Sequence, residues 1–137
     1  MSATCVRDIM PDTMVTVSEG DRLSTVEDIM RLGRVRHMPV VRGGKLVGVV
    51  SERDLLRASL SSLTDFEADA HRAFLHGVEI AKVMSAPPVV IDPAASVEEA
   101  ARRMSEAKIG CLPVVEGERL IGLVTETDVL RYFAQRS

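Results

Sequence analysis

The sequence predicts a mixed α/β (α+β) fold made of two copies of one β-α-β-β-α unit. The copies are expected to pack sheet to sheet with pseudo-twofold symmetry, with an extra linker helix between them. Three observations carry this reading. Displacing the chain by 74 residues lays one half over the other without a gap, and residues 38–56 match residues 112–130 at ten of nineteen positions. Each half holds two Val-rich runs around a glycine turn, the pattern of a β-hairpin. Nineteen valines, against 3% aromatic residues and no Trp, point to strands and an aliphatic core. A unit of about 50 residues buries too little surface alone, so two copies would share the work. The division is 6–56 for the first repeat, 57–79 for a helical linker and 80–134 for the second repeat.

The elements follow in order. A short helical turn ends at Ile9-Met10 in one half and Val83-Met84 in the other. Short strands, Val15-Thr16-Val17 and Val89-Val90-Ile91, come after Pro11 and Pro87-Pro88. Helices come next. Ser96-Val97-Glu98-Glu99 is a capping-box pattern, and Val97, Ala100, Ala101 and Met104 make one apolar face. In the first half Leu23, Val26, Ile29, Met30 and Gly33 make the matching face, with Asp21 or Ser24 as the cap. The hairpins turn at Arg42-Gly43-Gly44-Lys45 and Glu116-Gly117-Glu118-Arg119, and each second strand runs into a helix at Ser51 or Thr125. Between the repeats, Thr64-Asp65-Phe66-Glu67 opens an expected helix over 64–76, with Leu63, Phe66, Ala70, Ala73 and Phe74 on one stripe and Gly77 as its stop.

Composition narrows the function. At 46% hydrophobic and 27% charged residues the chain is of globular type. A net charge of −3 and a single Tyr argue against a nucleic-acid binder that works by bulk charge and stacking. No signal peptide is visible at the start and no run approaches a membrane span, so a cytoplasmic location is expected. Cys5 and Cys111 lack CxxC spacing, and His71 and His76 stand five apart, so no metal site is expected. No nucleophile-elbow, P-loop or Rossmann pattern appears, and the chain reads as a non-enzyme.

The strongest local motif is Gly48-Val49-Val50-Ser51-Glu52-Arg53-Asp54, repeated as Gly122-Leu123-Val124-Thr125-Glu126-Thr127-Asp128. Ser/Thr-x-x-Asp at a helix start is a capping pattern, and the acid suits the positive end of the helix dipole. The same place, a helix N-terminus at a strand end, also receives polar ligand groups. A carboxylate can take both hydroxyls of a ribose, and Gly48 and Gly122 would let a ligand approach the backbone. Both readings stand on the residues alone.

With its Pro-Val strand start, glycine hairpin and Gly-x-x-Ser/Thr-x-x-Asp junction, the repeat resembles the cystathionine-β-synthase (CBS) domain, two of which form the module called a Bateman domain. The resemblance covers nearly the whole chain outside 57–79. It implies two clefts that take adenosine-containing ligands, and a sensor whose output passes to another protein. Asp54 and Asp128, with Ser51 and Thr125 beside them, would hold ribose. Arg36 and His37, with Arg34, would meet phosphates; Lys108 is the one cation kept in the matching stretch of the second repeat, so phosphate should favour the first. Thr16 and Met38 in one copy, and Val90 and Leu112 in the other, would line adenine. The implied ligand is AMP, ADP or ATP, with S-adenosylmethionine or NAD as alternates, and no cofactor is required. A homodimer acting on a separate regulated protein is expected, joined through uncovered apolar helix faces such as Leu23/Val26/Met30, Val97/Ala101/Met104, Leu55/Leu56 and Val129/Leu130. The alternative is a structural or oligomerisation adaptor with degenerate clefts.

Overall fold

The computed structural model describes residues 4–60 and 68–136, the side chains of residues 68–71 excepted. Its elements are α1 (Val6–Ile9), β1 (Val17–Ser18), α2 (Leu23–Gly33), β2 (His37–Arg42), β3 (Lys45–Ser51), α3 (Glu52–Leu60), α4 (Ala68–Gly77), a 3-10 turn (Ile80–Lys82), α5 (Val97–Ala107), β4 (Cys111–Glu116), β5 (Arg119–Thr125) and α6 (Glu126–Gln135). The chain separates into two compact units. One is Val15–Pro87; the other joins Met1–Met14 to Pro88–Ser137. The leading segment of each sequence repeat thus belongs to the unit that holds the body of the other repeat.

In the Val15–Pro87 unit, β1 runs parallel to β2 and β2 antiparallel to β3. The hairpin turns on Gly43 and Gly44, at φ 55° and 83°, the positive angles a two-residue turn of this hand needs. A bulge between Val40 and Val41 interrupts the ladder. Val17, Val26, Met30, Met38, Val40, Val50 and Ile80 form the core. The other unit repeats the scheme with β4 and β5, a turn at Gly117 (φ 64°), a bulge between Val114 and Val115, and a core of Val6, Ile91, Val97, Ala100, Met104, Leu112, Val114, Val124 and Val129.

Several elements differ from expectation. The first strand is only Val17–Ser18, and its counterpart is a single bridge between Ile91 and Val114. Ser96 caps α5 by accepting the Glu99 N–H at 3.0 Å, but the Glu99 carboxylate turns to Arg103 and Arg102 instead of closing the box. Neither Asp21 nor Ser24 caps α2. Arg22 stands at the cap position with no side-chain capping bond, and Leu23 donates its N–H to the Val78 carbonyl at 2.9 Å. The chain leading into the second repeat does the capping, while Asp21 accepts the Ser18 N–H at 2.9 Å. The other unit mirrors this contact. Ile80 N–H bonds the Asp21 carbonyl at 2.9 Å, and Val6 N–H bonds the matching Ala95 carbonyl at 2.8 Å.

The linker helix is α4, over 68–77, and it docks on α2. Arg72 bridges Glu27 (2.6 Å) and Asp28 (2.9 Å), and Ser24 Oγ lies 3.3 Å from His76 Nδ1. Only Ala73 and Phe74 of the expected stripe have described side chains, and the residue of α4 that is fully buried, Leu75, is not on that stripe. Leu75 is fully buried, Phe74 is half-buried and Ala73 is exposed. Leu63 and Phe66 lie outside the described residues, as does the side chain of Ala70. Among the described residues no helix is long and apolar enough to cross a membrane, and no three His, Cys, Asp or Glu side chains are grouped to hold a metal.

Candidate functional site

Each set of sequence-named residues lies within one unit, at the end of the hairpin where the second strand enters a helix. In Val15–Pro87 the antiparallel register sets His37 opposite Ser51, and Glu52 donates its N–H to the Arg36 carbonyl at 2.8 Å. The ladder therefore brings Arg36, His37 and the Ser51–Asp54 turn to one place. Asp54 Oδ2 accepts the Ser51 N–H at 2.8 Å and the Ser51 hydroxyl at 3.0 Å, and Ser51 Oγ accepts the Asp54 N–H at 3.1 Å. One carboxylate oxygen is committed to the helix cap, which fixes where the other one points. Arg36 and Arg34 are exposed, His37 is half-buried, and Arg34 ends α2 in the left-handed conformation at φ 55°. Thr16 is exposed immediately before β1, and Met38 is fully buried in the core.

The Met1–Met14/Pro88–Ser137 unit keeps the frame and changes its chemistry. Asp128 Oδ2 accepts the Thr125 N–H at 2.8 Å and the Thr125 hydroxyl at 3.0 Å, and Glu126 N–H bonds the Gly110 carbonyl at 2.9 Å. Asp128 is 9% exposed, with Arg131 4.0 Å from its Oδ1. Lys108 repeats the left-handed helix end of Arg34 at φ 57°. Gly110 and Cys111 occupy the places of Arg36 and His37, which leaves Lys108 as the cation of that stretch. Leu112, like Met38, is fully buried, so both side chains belong to cores.

Two features went unforeseen. Gly48 and Gly122 do not open the backbone to a ligand. A Cβ on Gly48 would meet Met84 Sδ at 2.7 Å and the Ser85 carbonyl at 2.8 Å; on Gly122 it would meet Met10 Sδ at 2.6 Å. These glycines are where the exchanged segments cross the hairpins. The second feature is Arg103, whose Nη1 donates to the Val90 carbonyl while its Nε bonds Glu99 Oε1 at 3.1 Å. The matching residue of the first repeat is Ile29, packed against the core. The signal was in the sequence, as a charge replacing an apolar residue between aligned repeats.

A depression of about 420 Å³ lies elsewhere in the same unit, lined by Arg7, Met10, Pro11, Asp12, Glu116, Arg119 and Ile121. It holds none of the binding residues named from the sequence, and its Arg7–Glu116 pair, at 2.7 Å, satisfies charge within its own wall.

The CBS domain family model matches residues 6–61 and 80–135. An uncharacterized protein of Methanocaldococcus jannaschii, MJ1404, is 32% identical over 138 residues, covering 98% of this chain and 33% of that one. The chain thus spans about a third of that relative's length. The CBS domain pair of protein MJ0100, solved in complex with 5′-methylthioadenosine and S-adenosyl-L-methionine, aligns with a TM-score of 0.83 and 25% identity over 99% of this chain and 100% of that one. CBSX2, solved in complex with AMP, aligns with a TM-score of 0.77 and 28% identity over 96% of each chain. CBS pairs are in general regulatory, non-catalytic modules, and the two small sheets with their helices match that architecture. The chain belongs to the CBS domain family and carries two copies of the domain.

Proposed function

We propose that this chain is a regulatory module that binds an adenosine nucleotide, AMP, ADP or ATP, and acts without catalysis on a separate partner protein. The observation that carries the reading is the meeting of Asp54 with Arg36 and His37 at one end of the β2–β3 hairpin. A fixed carboxylate suits ribose hydroxyls, and neighbouring cations suit phosphate. Structural relatives solved with AMP and with S-adenosyl-L-methionine support the adenosine class, which keeps S-adenosylmethionine and NAD as alternates. In this reading Ser51 positions Asp54, Arg34 supplements the phosphate contacts, and Thr16 meets adenine above the buried Met38. Thr125, Asp128, Lys108, Val90 and Leu112 form the counterpart.

The working unit in this reading is a homodimer. Leu23, Val26, Met30, Val97 and Met104 are spent inside their own units, so they do not supply its interface. Leu56 and Leu60 on α3, and Leu130 and Phe133 on α6, remain outside at 60%, 53%, 67% and 39% exposure.

The test is a thermal-shift panel of AMP, ADP, ATP, NAD, S-adenosylmethionine and GTP. Ligand at about 100 times its Kd adds roughly 2.7 kcal/mol, a rise on the order of 10 °C for a small domain. Asp54→Ala should weaken binding by about 1.5–3 kcal/mol through lost charge-assisted bonds. No shift with any adenosine compound would leave the adaptor reading, for which the cap formed by Ser51 and Asp54 is sufficient reason for those residues.

A further inference from the structure

We infer that Arg103 closes the second site of this chain, so that a nucleotide enters the Val15–Pro87 unit alone. The inference rests on the adenosine reading above and adds to it a residue that sets stoichiometry. In that reading Thr16 and Val90 meet adenine, and Val90, whose side chain has no hydrogen-bonding group, has only its backbone to offer it. The Val90 carbonyl is already taken by Arg103 Nη1, and Glu99 braces the guanidinium from the other side at 3.1 Å. A guanidinium is a planar fork of donors with no acceptor of its own. A carbonyl oxygen has two acceptor positions, but an adenine amino group reaching the second one brings its own N–H dipoles against a fixed cation. Adenine must displace the arginine from both partners or forgo the bond.

The first repeat has no such device. Ile29 stands where Arg103 stands, packed on the core with no hydrogen-bond donor, and Thr25 stands where Glu99 stands. The phosphate end differs in the same sense. Gly110 and Cys111 replace Arg36 and His37, and Asp128, 9% exposed with Arg131 4.0 Å away, is less accessible to ribose than the half-buried Asp54.

The test is isothermal titration of the full chain with AMP. The parent should bind one AMP per chain, lost in Asp54→Ala and kept in Asp128→Ala. Arg103→Ile, which copies the first repeat, and Arg103→Met, which keeps the apolar stem, should each bind a second AMP, or strengthen a weak second site at least roughly tenfold. That gain should disappear when Asp128→Ala is added. A thermal midpoint on each variant establishes that it is folded. If Arg103 only ties residue 90 to α5, both variants lose stability and still bind one AMP, which overturns the inference alone. Two equal sites in the parent overturn it as well. No binding by the parent, with Asp128-dependent binding by the variants, supports the closure while removing the first site. No binding by any of them overturns both the closure and the adenosine reading.

Discussion

The sulfur of Met84 stands 2.7 Å from the point where a Cβ on Gly48 would be placed. Met10 has the same relation to Gly122, at 2.6 Å. In each unit a methionine from the exchanged segment lies flat on a hairpin strand at the one residue without a side chain. The two contacts differ in what else is near. Gly48 also faces the Ser85 carbonyl at 2.8 Å, and Val49 and Ser85 exchange backbone bonds at 3.1 and 2.8 Å. The three atoms nearest to a Cβ on Gly122 all belong to the Met10 side chain.

That difference predicts unequal glycine substitutions. Gly122→Ala should cost about 1 kcal/mol, because the flexible end of Met10 can move. Gly48→Ala should cost about 3 kcal/mol, because a backbone carbonyl cannot. Urea midpoints on the two variants decide it, and equal losses would remove the argument from the Ser85 carbonyl.

Leu75 should be the residue that holds the linker helix. It is fully buried, whereas Ala73 beside it is exposed. Leu75→Ala should cost about 2–5 kcal/mol, and Ala73→Ser within about 0.5. Chemical denaturation measures both.

Acid should release α4 from α2. The Arg72 guanidinium, hydrogen-bonded to Asp28, holds that carboxyl below its ordinary value of 3.8. A depressed folded value means that the pair stabilises docking above the unfolded value and is lost as pH falls through the folded one. Amide protection in α4, taken relative to α5, should therefore be flat from pH 7 to about 4 and fall below that. Asp28→Asn should lower it already at neutral pH and flatten the acid limb. Protection that falls equally in the parent and the variant would show that another group controls the acid limb.

Assembly should run through α3 and α6. Light scattering should give about 30 kDa, twice the 14.9 kDa of one chain. Leu56→Asp with Leu130→Asp should return the monomer mass while leaving the circular-dichroism spectrum unchanged. A parent mass near that of one chain, with and without AMP, would reject the dimer.

What could be read from the sequence was local or periodic. The Gly43-Gly44 turn, the Ser51–Asp54 cap and the α5 face of Val97, Ala100 and Met104 depend on residues within a turn or two of each other, and the 74-residue register carried each from one half to the other. What escaped was decided by residues distant in the chain. Arg22 has no capping side chain, and the group that completes α2 is the carbonyl of Val78. Leu75 is buried because of where α4 docks, which its own amphipathic pattern does not specify. Arg103 sits one turn from the apolar stripe, and only its length brings the guanidinium to the carbonyl of Val90, 13 residues away in the chain.

The exchange of leading segments bears on how the chain is made. Residues 15–87 are contiguous, so everything that unit needs emerges from the ribosome in one stretch. The other unit needs Val6, fully buried in a core whose remaining members all lie at residue 91 or beyond. Val6 must wait until Ile91 and the residues after it have been made, and then close a loop of more than eighty residues. Closing so long a loop costs only slowly more with length, but it places the completion of that unit last. A cut between the sequence repeats would leave the second one without Val6 and Met10, so neither half of the sequence is a natural place to divide this protein.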